Sequence, residues 1–299
     1  MALRQHITHA WTVLKKTGQS IYQDNGFFLA MGLAFNLLLY FVPLILLMIS
    51  VLGYTVLESE RAMVEVQSVV RQFLPHSEQA FADNLATIIS NRGLVGLVGF
   101  FFFLIFSSTL FGSTRHILNI VFKAERRRGF LHGIGHDFLM MLVTGLLLVL
   151  GITVASLLAL ARAFGAEQLP MMTPVLEVFL SAVGKLFAWL FLFAIFYVFY
   201  RFAPARALHR RDLLIASLSA TILFELARWG FTWYVAFARD ALAVYGALAG
   251  LMFFFFWLYY ASVIFVLGAE IGLACEQSRP ALSNRRSSRE PGRHSGQDP

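Results

Sequence analysis

Apolar residues fall along this chain in six long blocks, 27–57, 94–122, 138–161, 177–200, 213–237 and 245–274, with charge returning in the short stretches between them. Each block is long enough to cross the ~30 Å hydrocarbon core of a bilayer as a helix, which takes about 20 residues. In lipid, an open segment must satisfy its own backbone, and a helix does so. The pattern therefore predicts an all-α fold: a polytopic membrane domain over 27–274 with six transmembrane helices.

The polar remainder divides into three parts. Residues 1–26 place Ile7, Trp11, Leu14 and Ile21 at helical spacing, with Arg4, Lys15 and Lys16 on other faces, as expected of an amphipathic helix lying on the membrane surface. Residues 58–92 carry mixed charge and two apolar groups, Val66, Val69, Val70 and Phe73, then Phe81, Leu85, Ile88 and Ile89, separated by Leu74 and Pro75. They predict two short amphipathic helices outside the membrane, the second capped by Ser77. Residues 275–299 hold Ser, Arg, Gly and Pro with almost no large apolar side chain and predict a disordered tail.

Composition agrees with lipid as the solvent. Of 299 residues 58% are hydrophobic and 14% charged, against roughly 25% charged in soluble domains. The net charge of +7 raises the possibility of nucleic acid, but the cations sit in short loops, which argues for topology and lipid headgroups instead. The amino end, the two loops after spans two and four, and the tail carry three, four, four and five Lys or Arg, so both termini are expected in the cytoplasm. Cys275 is the sole cysteine, which excludes an internal disulfide. The first 26 residues lack the compact apolar core of a cleavable leader, so insertion is expected to begin with the first span.

Against this background the ionisable residues inside the spans stand out, because hydrocarbon cannot solvate charge. Counting 1.5 Å per residue from the inner ends, Lys185 on span four lies at about 22 Å, and Glu225 and Arg228 on span five at about 20 and 24 Å. Glu225 can pair with Arg228 one turn on, and with Lys185 if the helices are neighbours. Three readings follow: an ion-paired clamp fixing the helices, a cationic cavity for an anionic cargo such as a phosphate-bearing headgroup, or a proton or ion relay through Glu225.

Other positions are simpler. Glu270 lies shallower and is a further ion-pair candidate, able to hydrogen-bond helix termini or pair with a basic loop, in a stretch where Gly268 and Gly272 allow another helix to approach closely. Pro43 removes a helical hydrogen bond and predicts a kink in the first span. Arg115, His116 and Asn119 read as interfacial anchors. Arg126, Arg127 and Arg128 in one basic loop, and Arg210 and Arg211 in another, are candidates for holding anionic headgroups.

Enzymatic signals are weak. His132, His136 and Asp137 have a metal-like spacing, but Gly133 and Gly135 make a helix there doubtful and no further ligand is near in sequence. No glycine-rich phosphate loop with its lysine is present, which argues against an ATP-driven pump within this chain. The expectation is of no enzyme, no cofactor and no metal, with membrane lipids as partners and no nucleic acid.

Several segments carry a resemblance. Glu225-x-x-Arg228-x-Gly230-Phe231-x-x-Tyr234, then Tyr245-Gly246-x-Leu248-Ala249, Trp257 and Leu267-Gly268-Ala269-Glu270-Ile271 resemble the YihY/BrkB family of bacterial inner-membrane proteins. Asp24-Asn25, Leu33-Ala34-Phe35 and Val42-Pro43-Leu44 are similar to that family's first span, although Tyr40-Phe41-Val42 departs from its usual small or polar residue before the proline. The resemblance covers roughly residues 20–275. It implies a six-helix inner-membrane protein associated with virulence, serum resistance and the movement of lipids or lipid-linked envelope precursors. It also brings an older label, ribonuclease BN, for which this chain offers only scattered histidines. The expectation is a transporter or flippase-like factor for an anionic envelope lipid; the alternative is a membrane scaffold for envelope assembly or serum resistance that moves nothing.

Overall fold

In a computed structural model of the chain, residues 2–55, 92–124, 130–168, 173–243 and 247–278 are described, and the described elements are all α-helices. They are α1 (Ala2–Gln23), α2 (Gly26–Thr55), α3 (Arg92–Val121), α4 (Phe130–Gln168), α5 (Thr173–Phe202), α6 (Arg210–Ala243) and α7 (Ala247–Ser278). The last six each contain a stretch long and apolar enough to cross a membrane. At 30 residues, α2, α3 and α5 are about 45 Å long, the depth of a bilayer with its headgroups.

The predicted extracytoplasmic helices of 58–91, the Arg126, Arg127 and Arg128 cluster and residues 279–299 lie outside the described residues. Elsewhere the helices run past the predicted boundaries. α4 begins at Phe130, so His132, Gly133, Gly135, His136 and Asp137 are helical despite the two glycines. It also continues through Glu167. α6 runs through Arg239 and Asp240, where a turn was expected, and α7 extends four residues into the expected tail. In lipid an unpaired backbone group costs several kcal/mol, more than the ~1 kcal/mol by which glycine disfavours a helix, so the helices lengthen.

Helices pack in chain order, each of α2 to α6 on the next, and α7 closes the circuit against α2 while also touching α3. α1 lies across α7 and α2. Its last turns bury Thr17 and Ile21 against the bundle, while Trp11 and Leu14 face outward, so the predicted apolar face is divided between protein and surroundings. The Lys16 ammonium donates to the Gln277 carbonyl at 3.1 Å, so the first helix and the end of the last lie at one end of the bundle.

At that end sits a buried core. Leu118 and Val121 of α3, Phe122 just after it, Tyr200 of α5, Leu213, Ala216 and Ala220 of α6, and Ala269 and Leu273 of α7 are buried together. Lipid tails are as apolar as leucine, so burial alone does not hold such helices together; close packing and hydrogen bonds do. Both are visible. A side-chain carbon on Gly268 would stand 2.6 Å from Ala220 Cβ and from Tyr200 Oη, and one on Gly272 2.7 Å from Ala216 Cβ, so the two glycines let α6 and α7 touch. Tyr200 Oη–H donates to the Phe265 carbonyl at 2.7 Å. Pro43 is buried within α2, which stays helical on both sides of it. Its missing N–H leaves the Leu39 carbonyl without its helical donor.

Candidate functional site

A crevice of about 1040 Å³ opens between α4, α5 and α6. Its wall on α4 is Leu148, Gly151, Ile152, Ala155, Leu158 and Ala159, spaced to keep one face of the helix toward it. α5 contributes Ser181, Gly184, Lys185 and Ala188 with aromatic neighbours, and α6 contributes Ile222, Glu225, Leu226 and Arg228. Small residues on α4 and α5 hold these helices near each other without filling the space between.

The three intramembrane charges thus share one cavity. Lys185 stands 17 residues before the end of α5, about 26 Å along it; Glu225 and Arg228 stand 15 and 18 residues after the start of α6, about 23 and 27 Å. Arg228 grips Glu225 through Nε at 3.0 Å and Nη2 at 2.5 Å to the same carboxylate oxygen. The anticipated bridge from Glu225 to Lys185 is absent among the described residues, where Glu225 pairs with Arg228 alone. The geometry accounts for the difference: Arg228 follows one turn later on the same helix, whereas Lys185 would have to reach across the crevice from α5. With one carboxylate answering two cations, the cavity carries a formal charge of +1. The Arg228 side chain remains 64% exposed, so its guanidinium keeps unused N–H donors.

A second opening of about 320 Å³ lies between α6 and α7, walled by Phe231, Tyr234, Phe256, Trp257 and Tyr260 with Gly230 and Ala227. The Phe231 and Trp257 rings meet at a centroid distance of 5.0 Å with their planes tilted by 46°. It begins within one turn of Arg228 on α6.

The remaining candidates are dispersed. Arg210 and Arg211 are exposed at the start of α6, with the buried Asp212 beside them. Glu270 is fully buried on α7 at the terminal end, far along the bundle from the crevice. Arg115, expected to reach for the interface, instead makes a two-pronged pair with Asp137 of α4, Nε to Oδ1 at 2.8 Å and Nη2 to Oδ2 at 2.9 Å. Gly133 makes this possible: a side-chain carbon there would lie 2.9 Å from Arg115 Nη2. His136 Nε2–H donates to the Phe202 carbonyl at 2.6 Å, tying α4 to the end of α5. No cluster of three metal-ligating side chains occurs among the described residues.

Sequence reasoning missed Arg115 with Asp137, and also Asp24 with Lys123, whose ammonium hydrogen-bonds both carboxylate oxygens of Asp24. These partners are 22 and 99 positions apart. Neither local spacing nor periodicity carries a signal for such a pair.

A family profile described as virulence factor BrkB matches residues 17–293. A UPF0761 membrane protein of Aliivibrio salmonicida is 28% identical over 272 residues, covering 90% of this chain and 84% of that protein. One from Aliivibrio fischeri strain ES114 is 29% identical with the same coverage. One from Chlorobium luteolum is 28% identical over 85% of this chain and 57% of its own longer length. No solved structure matches the chain.

Proposed function

The chain belongs to the BrkB virulence-factor family of integral membrane proteins, and from that premise we propose that it binds and moves an anionic lipid of the cell envelope. The observation that supports this reading is the crevice between α4, α5 and α6, wide enough for a lipid headgroup and part of its tails, apolar along most of its wall and cationic at Lys185 and Arg228. Buried charge is expensive in a bilayer, and a pair of cations answered by one carboxylate is best explained by an anion that completes the balance. A phosphate group would take charge-assisted hydrogen bonds from the free donors of Arg228 and from Lys185, with acyl chains lying against Leu148, Ile152 and Leu226. The excess of Lys and Arg in the loops after spans two and four, Arg126 to Arg128 and Arg210 with Arg211 among them, supports a cytoplasmic side for these loops in a bacterial inner membrane, where those cations would gather anionic headgroups before entry.

The test is reconstitution into vesicles carrying fluorescent phosphatidylglycerol or phosphatidylcholine on one leaflet, with transfer followed by chemical quenching. Transfer of phosphatidylglycerol should exceed that of phosphatidylcholine. A charge-assisted hydrogen bond contributes about 1.5–3 kcal/mol, so Lys185→Ala with Arg228→Ala should slow the anionic lipid by about tenfold or more while the protein keeps its helix content. Equal transfer of both lipids, or folded variants with unchanged transfer, would sink the reading and leave the scaffold function, in which the same charges only clamp helices.

A further inference from the structure

At the terminal end of the bundle, three charged side chains from distant parts of the sequence meet: Asp24 at the turn between α1 and α2, Lys123 just after α3, and Glu270 on α7. The backbone bends to bring them there. Asn25, next to Asp24, has φ 52° and Lys123 itself has φ 51°, the left-handed conformation in which helices commonly end, so each chain segment turns just past a helix to reach this place.

The three are arranged in layers. Lys123 is half exposed and closes over Asp24, engaging both of its oxygens from the solvent side. Glu270 comes from the interior, fully buried, and neither of its oxygens meets a hydrogen-bond donor. The Asp24 carboxyl lies within hydrogen-bonding reach of it, and the Lys123 ammonium that holds Asp24 is close enough to act on it as well. Other charged groups near this end are occupied elsewhere or of the wrong sign. Arg206, ahead of α6, holds Glu276 at 2.7 Å and the Phe122 carbonyl at 2.9 Å. Lys16 of α1 donates to Gln277. Asp212 of α6, an acid, meets α7 at Gly272 through its backbone oxygen.

Two carboxylates against one ammonium leave a formal charge of −1, and one of the two carboxylates is fully buried. Ionised carboxylates carry only acceptors, so two of them can hold together only through something that donates to both. A proton does this, turning one oxygen into a donor toward the other and bringing the trio to neutrality. We propose that Asp24 and Glu270 form a carboxyl pair that binds one proton, clamped from outside by Lys123. The site joins the α1–α2 turn, α3 and α7, so release of the proton would set two like charges against each other across that seam and loosen it. This gives the bundle a proton-sensitive joint independent of the crevice and of any lipid in it.

Infrared difference spectra of the full chain in lipid vesicles, in heavy water at neutral pH, test the pair directly. The wild type should show the C=O stretch of a protonated carboxylic acid, fading as the pH is raised. Glu270→Gln should lose that band, and Asp24→Asn should shift or abolish it by changing the group that accepts from the proton. If Glu270→Gln does not fold, the Asp24→Asn spectrum decides alone. A wild type without the band at neutral pH, or a band left unchanged by Asp24→Asn, would overturn the proposal, and neither result depends on whether the protein moves lipid.

Discussion

Two sides of one bundle are built on opposite plans. Where α7 meets α6, α2 and α3, glycine and alanine bring backbones together and 28% of the most apolar stretch of α7 is buried against protein. Along α5 the corresponding share is 6%, and the space beside it is the crevice with its charges. The two stretches have the same mean hydropathy of 2.1; what separates them is how closely their small residues meet the neighbouring helix. In lipid, where burial of apolar surface brings no net gain, small residues that interdigitate make a joint, and small residues facing each other across a gap make a cavity.

The contrast is easiest to break on the tight side. Gly272→Leu would drive a side chain into Ala216 Cβ and Leu208 Cδ1, and overpacking of this kind should destabilise by about 3 kcal/mol, read as a fall in thermal midpoint in detergent. The same change on the outward face of α4, Gly145→Leu, meets nothing within 4 Å and should leave the midpoint within about 0.5 kcal/mol of wild type. Similar losses at both positions would mean that the α6–α7 contact is not what makes Gly272→Leu costly.

Arg115→Ala sits between these extremes. It strands Asp137, which is only 5% exposed, but water reaches the arginine side of the pair, so the loss should be about 2 kcal/mol and smaller in Arg115→Ala with Asp137→Asn. An additive double variant would show that the pair does not couple α3 to α4. The smallest expected effect on stability is the most informative about function. Ala155→Trp projects a large ring into the crevice from an exposed position, and should cost less than about 0.5 kcal/mol while blocking lipid transfer. Unimpaired transfer in that variant would place the path elsewhere.

Much of this molecule could be read before any coordinates. The six spans follow from apolar block length, and Gly268 and Gly272 announced a close approach because nothing else explains two glycines four apart in a buried helix. The boundaries were less legible. Gly133 and Gly135 read as helix breakers because propensity is measured in water, whereas here the first of them is the space into which Arg115 lies. The depth of Lys185, Glu225 and Arg228 followed from counting residues; that Arg228 would take Glu225 wholly for itself did not. Glu270 read as a candidate for a helix terminus or a basic loop and not for Asp24, since Asp24 is 246 positions away and the turn that presents it depends on a left-handed Asn25.

The clasp between α1 and α7 bears on how the molecule is made. Successive hairpins can pair as they leave the insertion machinery, because neighbours in space are neighbours in sequence. The contacts of α7 with α1, α2 and α3 are the exceptions: the dock for α1, including the Gln277 carbonyl that Lys16 grips, is made after the other five spans. Until then the amino-terminal helix has only α2 to lie on, and a chain stopped before residue 247 would release five spans with the main seat for α1 never built.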